Sequence, residues 1–368
     1  MAASKRIVVK IGTSTLKGAD GRVDRAWLAD LARQVAALRA DGASVIVVSS
    51  GAIACGMETL GITERPTELT ALQATAAIGQ VRLISTYADI FGEHGVPVAQ
   101  VLLTRHDTGH RQAYLFACRT LDRLLHMGVV PIVNENDTTA VDEIRFGDND
   151  TLAALVGVMA HVDLAILMSD IEGLYDADPR SSDGAELLEH VAEITDEVLA
   201  AAGGAGSAGG TGGMVTKLDA ARLLMKAGIP MVVCDGRRPD VLIDAYHGEP
   251  VGTYFAGGVG DVEARKLWIA FARHPKGSVF VDAGARDALC LRGTSLLPAG
   301  VVRVTGTFGA GDPVAIVDES GTEVARGLAD MSAADLDRVK GMKTSQITTE
   351  APALAGLEVV HRDRLVIL

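Results

Sequence analysis

The segment Thr211-Gly212-Gly213-Met214-Val215-Thr216-Lys217 combines a glycine-rich turn, two hydroxyls and a lysine ahead of a helical pattern running from Lys217 to Leu224. Small residues let a backbone close on an anion and aim successive N–H groups at it, and the positive N-terminal end of a helix favours the same charge. Lys217 adds a full positive charge, so the segment outlines a phosphate site. The glycine-rich run from Gly203 to Gly213 equally suits a surface linker, and other segments must decide between the two. Two familiar phosphate motifs are absent. No Gly-Lys dipeptide exists to build a P-loop, and Gly204-Ala205-Gly206-Ser207-Ala208-Gly209 follows a helix-like run, Glu197 to Ala202, where a dinucleotide fingerprint needs a strand.

Further chemistry-bearing residues stand at the ends of apolar runs. Ile7-Val8-Val9-Lys10-Ile11 carries a lysine inside a strand-like segment and exits into Gly12-Thr13-Ser14. A buried ammonium is costly, so Lys10 must meet an anion or reach water. Val45 to Val48 exits into Ser49-Ser50-Gly51-Ala52, and Val129 to Val133 exits into the polar cluster Asn134-Glu135-Asn136-Asp137. Gly147-Asp148-Asn149-Asp150 precedes a helix, where Asn149 or Asp150 is expected as the N-cap. Leu164 to Met168 exits into Ser169-Asp170, whose polar atoms suit a ribose or base as well as an exposed turn. Two lysines, amide-rich turns and a carboxylate cluster at one sheet edge together suit phosphoryl transfer, where catalysis is mainly positioning and charge stabilisation. The nine histidines are dispersed, and His106 and His110, four apart, lack further ligands for a metal.

These residues need a scaffold that brings strand ends together. Short β-branched runs (Arg6 to Ile11, Val45 to Val48, Pro97 to Leu102, Val129 to Val133, Leu164 to Met168, Met231 to Cys234) alternate with helical patterns. The helical stretches are Trp27 to Arg39, Leu72 to Phe91, Thr120 to His126, Thr151 to Ala160 and Lys217 to Ala227. That alternation predicts an α/β fold with a largely parallel sheet, whose ligands collect beyond the strand C-termini. Beyond His274-Pro275-Lys276-Gly277 the pattern becomes short strands with Gly and Pro turns (Ser278 to Val281, Val301 to Thr305, Pro313 to Val317, Glu323 to Leu328, Leu365 to Leu368), predicting a small, mainly β domain.

With 368 residues, 48% of them hydrophobic, the chain has material for a large core and two domains. Its net charge of −13 argues against a general nucleic-acid or anionic-membrane binder, so any positive site must be local. Cys55, Cys118, Cys234 and Cys290 form no C-x-x-C pair and are expected to be reduced and mostly buried. Neither a secretory leader nor an apolar span long enough for a bilayer is legible, so the expected compartment is the cytoplasm.

The chain resembles the bacterial glutamate 5-kinase family, in which an amino acid kinase fold, an open and largely parallel sheet sandwiched by helices, precedes a PUA domain. The resemblance rests on the Lys10, Ser50, Asn134 to Asp137, Gly147 to Asp150 and Thr211 to Lys217 segments and on Gly173-Leu174-Tyr175-Asp176-Ala177-Asp178-Pro179-Arg180. It implies a catalytic domain over 1–265, a linker over 266–276 and a PUA domain over 277–368. It also implies transfer of the ATP γ-phosphoryl group to the side-chain carboxylate of L-glutamate, the first step of proline synthesis. Under that resemblance Lys10 and Lys217 neutralise the moving phosphoryl group and Asp150 organises them. Ser50, Asp137 and Asn149 hold glutamate, while Lys10, Ser169, Asp170 and Thr211, Gly212, Gly213, Met214, Val215, Thr216 and Lys217 hold ATP. The family commonly has Thr where this chain has Ser169, which preserves the hydroxyl. Mg²⁺ is expected mainly on the ATP phosphates, without a confident protein ligand. Inhibition by L-proline at the glutamate site, shaped by the loop around Arg111 to Arg145, assembly as a homodimer or homotetramer, and a glutamyl-phosphate reductase as partner are further implications. The segment from 277 to 368 holds nine Lys plus Arg against twelve Asp plus Glu, a balance that makes RNA binding by this domain unfavourable. Kinases of acetylglutamate, aspartate or carbamate, or an RNA-binding regulator on a kinase scaffold, are the competing readings.

Overall fold

The structure, a computed structural model, describes residues 5–18, 21–104, 111–139, 149–177, 184–202, 213–258 and 275–367. The chain divides into two compact units, Met1–Asp261 and Val262–Leu368. All but the last two residues of the expected linker, 266–276, lie outside the described residues.

The first unit opens on β1 (Arg6–Ile11), a single helical turn α1 (Thr13–Leu16), α2 (Arg25–Ala40), β2 (Ser44–Val48), α3 (Ala52–Leu60) and α4 (Leu69–Glu93). There follow β3 (Val98–Leu103), α5 (Arg111–His126), β4 (Val130–Glu135), α6 (Asn149–Met159) and β5 (Leu164–Ser169). The unit ends with β6 (His190–Val191), α7 (Asp196–Ala201), α8 (Met214–Lys226), β7 (Met231–Asp235), α9 (Val241–His247) and β8 (Thr253–Phe255). The eight strands order as β3-β4-β2-β1-β5-β7-β8-β6, and pairing is parallel from β3 to β7, with β7 and β8 antiparallel. The largely parallel sheet read from the alternation is thus present, with β8 and β6 added at one edge where the sequence pattern gave no strand.

β1 sits centrally and faces both helical layers. Side chains alternate along a strand, so Ile7, Val9 and Ile11 join the core formed with Leu28 and Leu31 of α2, Leu83 and Tyr87 of α4 and Val241 of α9. Val8 and Lys10 point to the opposite layer, where α6 and α8 pack and Val8 approaches Gly157 of α6. One lysine in an otherwise apolar strand is therefore delivered, by the two-residue period alone, beneath the N-termini of two helices.

The helix α3 was not legible as a helix. It starts directly after the Ser49-Ser50-Gly51 turn, with Gly51 as N-cap in the left-handed region at φ 102°, and it crosses α4 at backbone contact. A Cβ on Gly79 would come 1.8 Å from the carbonyl oxygen of Ala52, and one on Gly56 would come 1.9 Å from that of Thr75. Two glycines with poor helix propensity are thus used for close approach, and tertiary packing outweighs local preference. The expected helical stretch Thr120 to His126 is the last part of a longer helix, Arg111–His126, and the expected strand Val129 to Val133 is β4, Val130–Glu135. Leu121 and Leu125 occupy one buried face of that helix, the four-residue spacing that binds it to the sheet.

The second unit contains β9 (Gly277–Val281), α10 (Ala283–Arg292), β10 (Val301–Gly306), β11 (Pro313–Val317), β12 (Glu323–Leu328), α11 (Ala333–Val339), α12 (Thr344–Glu350) and β13 (Leu365–Ile367). Its sheet runs β10-β9-β11-β12-β13 around a separate core that includes Val279, Val314, Ile316, Leu336 and Val360. The five strands match the expected segments closely, whereas the three short helices were not anticipated. Asp282 and Ser332 cap the first two by accepting from Ala285 N and Asp335 N.

Of the four thiols, Cys55 and Cys234 are buried, Cys118 is half-buried and Cys290 is exposed. Burial pushes the Cys234 thiol up to about 12 and the Cys55 thiol up to about 11, so neither ionises near neutrality. Gly79→Ala forces α3 and α4 apart and is expected to cost about 3 kcal/mol, measured as a lowered midpoint in the first unfolding transition of the chain; an unchanged midpoint would contradict this close crossing.

Candidate active site

Three elements bring one charge cluster together. β1 supplies Lys10, the first turn of α6 supplies Asp150, and the first turns of α8 supply Thr216 and Lys217. Lys10 Nζ lies 2.5 Å from Asp150 Oδ1, and Lys217 Nζ donates to Asp150 Oδ2 at 3.1 Å. Thr216 Oγ1 lies 3.2 Å from the same Oδ2 and 2.7 Å from the carbonyl oxygen of Gly213. Lys10, Asp150 and Lys217 are 5%, 0% and 3% exposed, so the cluster is withdrawn from water. Desolvating each ion costs several kcal/mol, which mutual attraction offsets only with good geometry. Among the described residues the cluster sets two ammonium groups on one buried carboxylate, a local concentration of charge suited to meeting an anion.

The helix carrying Lys217 begins earlier than its apolar pattern implied. α8 starts at Met214, with Gly213 as N-cap and no side-chain cap, so Lys217 sits one turn inside the helix and not at its first residue. The hydroxyl of Thr216 turns back to the Gly213 carbonyl, which lets β-branched Val215 and Thr216 occupy the first turn, where crowding by a preceding turn is absent. Among the described residues no side chain caps that end, and the N–H groups of a helix N-terminus favour an anion. Thr211 and Gly212 of the same motif lie outside the described residues, as do Gly147, Asp148 and Gly204 to Gly209.

A second cluster stands beside the first, because Asn149 and Asp150 are consecutive. Asn149 Nδ2 donates to the carbonyl oxygen of Ser49 at 2.5 Å and to Ser50 Oγ at 2.8 Å, and lies 3.2 Å from Asn134 Oδ1. Asn134, buried at the end of β4, donates through Nδ2 to Gln80 Oε1 at 2.9 Å and accepts from the Glu135 N–H at 2.9 Å. Ser49 Oγ lies 2.9 Å from the Tyr87 hydroxyl, also on α4. Burial pushes the Tyr87 phenol upward, with the Ser49 hydrogen bond opposing only part of the shift, and keeps it neutral. Ser50 and Asn149, both singled out in the sequence, thus meet directly. Asp137 occupies the turn after β4, half-buried, with Asn136 N bonded to the Leu103 carbonyl.

On the β5 side, Ser169 is the buried last residue of the strand and its hydroxyl lies 3.2 Å from Asp170 Oδ1, while Asp170 is exposed. Gly12 N donates to the Met168 carbonyl at 3.2 Å, holding the exits of β1 and β5 side by side. These central strands are where chain direction across the sheet switches, the position at which α/β sheets bind ligands. Thr15, in the turn after β1, is 1% exposed and its hydroxyl has no hydrogen-bond partner among the described residues. An orphaned hydroxyl here fits a site built for a polyanion with many acceptor oxygens. Among the described residues no group of three or more His, Cys, Asp or Glu is arranged to hold a metal.

Sequence reading missed Asn134, Gln80, Tyr87 and Ser49 as supports. Asn134 belonged to a recognised polar cluster, and its place at a strand end was the available signal. Gln80 and Tyr87 lie mid-helix, seven residues apart, where nothing in the local sequence distinguishes them from core or surface positions.

Comparison with known proteins identifies the family. A family model described as the amino acid kinase family matches residues 5–235, and one for the PUA domain matches 277–350. A glutamate 5-kinase of Geobacter sulfurreducens is 48% identical over 99% of this chain and 98% of its own length. One from Caldanaerobacter subterraneus subsp. tengcongensis is 47% identical, again over 99% of this chain and 98% of its own. A solved isopentenyl phosphate kinase covers 68% of this chain and 100% of its own, at 20% identity and a TM-score of 0.48. With nearly complete coverage at such identity, the chain belongs to the glutamate 5-kinase family, kinases built from an amino acid kinase domain followed by a PUA domain.

Proposed function

We propose that this chain transfers the γ-phosphoryl group of ATP to the side-chain carboxylate of L-glutamate, giving L-glutamyl 5-phosphate and ADP as the first step of proline synthesis. The observation that supports it most is the adjacency of the two clusters: Asn149, tied to Ser50, and Asp150, tied to both lysines, are neighbours in the first turn of α6. An acceptor held by one and a phosphoryl group drawn by the other would lie next to each other.

The chemistry needs no general base, because a carboxylate is already ionised at neutral pH. One oxygen of the glutamate side chain attacks Pγ, the bond from Pγ to the bridging oxygen breaks, and ADP departs with that electron pair. The obstacle is repulsion between two anions. Lys10 and Lys217 offset it by placing ammonium groups beside the transferring oxygens, with Asp150 as the positioning carboxylate between them. Ser50 accepts from Asn149 and keeps its own proton to donate to a substrate carboxylate. Asp137 contributes to the same acceptor pocket and favours a substrate ammonium.

ATP suits the other half of the site: the α8 N-terminus and the Gly213 turn toward phosphates, and Ser169 and Asp170 toward the nucleoside. Mg²⁺ held on the ATP phosphates would supply further neutralisation of their charge. Proline occupying the acceptor pocket makes the enzyme feedback-inhibited. A homodimer or homotetramer, and a reductase that consumes the labile acyl phosphate, complete the proposal. No described helix is long and apolar enough to cross a membrane.

Coupled ADP release in the presence of hydroxylamine, which traps an acyl phosphate, is expected with glutamate and not with acetylglutamate, aspartate or carbamate; preference for any of those would replace the acceptor. Proline at millimolar concentration is expected to raise the apparent KM for glutamate, and indifference to it would reject inhibition at this pocket. Lys10→Ala and Lys217→Ala each leave one ammonium paired with Asp150, so folding is expected to survive while turnover falls about 100-fold or more. Turnover near wild type in either variant would remove that lysine from the mechanism.

A further inference from the structure

We infer that Gln80 is a positioning residue for the acceptor half of the site, setting the orientation of the Asn134 amide and through it the placement of Asn149 and Ser50. This inference rests on the glutamate reading of that half. Gln80 is half-buried on α4, and its Oε1 accepts from Asn134 Nδ2 at 2.9 Å. That bond decides which way the Asn134 amide points. With its nitrogen committed to Gln80, Asn134 presents Oδ1 to the Glu135 N–H at 2.9 Å and to Asn149 Nδ2 at 3.2 Å.

A flipped Asn134 amide would bring its NH₂ against the Asn149 NH₂, donor facing donor, and leave the Glu135 N–H without that acceptor. Asn149 shares its Nδ2 donors among Asn134 Oδ1, the Ser49 carbonyl and Ser50 Oγ, so losing one acceptor changes how it meets the other two. The chain Gln80 to Asn134 to Asn149 to Ser50 therefore has one consistent direction of donation, and its outermost member is the amide oxygen of Gln80.

The helix that carries Gln80 is itself referenced to Ser50. Gly79, the preceding residue, lies against the backbone of Ala52, two residues beyond Ser50. Tyr87, two turns along the same face, reaches Ser49 Oγ at 2.9 Å. α4 thus meets the acceptor cluster through Asn134 at one end and Ser49 at the other. A glutamine at position 80 converts the rigid helix crossing into a fixed amide orientation, and displacements of an acceptor group by about 1 Å are enough to slow a reaction 100-fold.

The test compares Gln80→Met, close in shape but without the acceptor, with Asn134→Ala and the double variant, each checked by thermal melting. The readouts are KM for glutamate and KM for ATP. Gln80→Met is expected to raise KM for glutamate about tenfold, the effect of one lost buried hydrogen bond, while KM for ATP changes less than about twofold. In the Asn134→Ala background the same substitution is expected to add less than about a further twofold, because the two residues act in series. A wild-type KM for glutamate in Gln80→Met, equal rises in both KM values, or effects that multiply in the double variant would each overturn the inference. Wild-type enzyme run alongside separates these results from a failure of the acceptor assignment, which would show as no turnover of glutamate by the unmodified chain.

Discussion

A carboxylate with no exposure to water lies between two nearly buried ammonium groups, and the catalytic unit is arranged around that fact. Removing three ions from water is expensive, and a hydrophobic replacement would commonly be more stable. The arrangement suits a use that stability does not explain: two ammonium groups on one buried carboxylate, in or beside the first turns of two helices, are a setting in which an anion is favoured. Asp150 lies between the two lysines, within ion-pair distance of both. The same low-dielectric surroundings that make the cluster costly make its attraction for a developing negative charge strong.

The scaffold positions this cluster with short-range rules. Two-residue alternation turns Lys10 to the same layer as Val8, and α6 and α8 enter that layer with Asp150 and Lys217 in their first turns. The parallel sheet places the exits of β1, β2, β4 and β5 at one edge, so Ser50, Asn134 and Ser169 arrive from different strands at a common front. On the opposite layer, the glycine contacts between α3 and α4 set the helix that braces Asn134 and Ser49. The cluster of Lys10, Asp150 and Lys217 and the cluster of Ser50, Asn134 and Asn149 thus meet at two consecutive residues of α6.

Much of this was legible in the sequence because the signals were local. A lysine in a β-branched run, glycine before a helix, and polar clusters at strand ends pointed to Lys10, Lys217, Ser50, Asn149 and Asp150, and alternation predicted a largely parallel sheet, though not the order of its strands. Other features were hidden for physical reasons. α3 has two glycines at its crossing and its end, Gly56 and Gly61, and exists because α4 packs on it; propensity alone gives a turn. The start of α8 at Met214 depends on the Thr216 hydroxyl bonding back to Gly213, which no apolar period records. Gln80 and Tyr87 act over separations of 54 and 38 residues to Asn134 and Ser49, so only tertiary contact reveals them.

The most direct measurement of the central claim is a crystal structure of the enzyme with glutamate, MgADP and aluminium fluoride, a planar mimic of the phosphoryl group in flight. We expect the Nζ atoms of Lys10 and Lys217 both within hydrogen-bond distance of the fluoride ligands, with Asp150 still between them and the glutamate side-chain carboxylate in line with the aluminium. A complex in which the mimic binds elsewhere, or in which either ammonium remains turned from it, would contradict the assignment of the charge cluster to phosphoryl transfer.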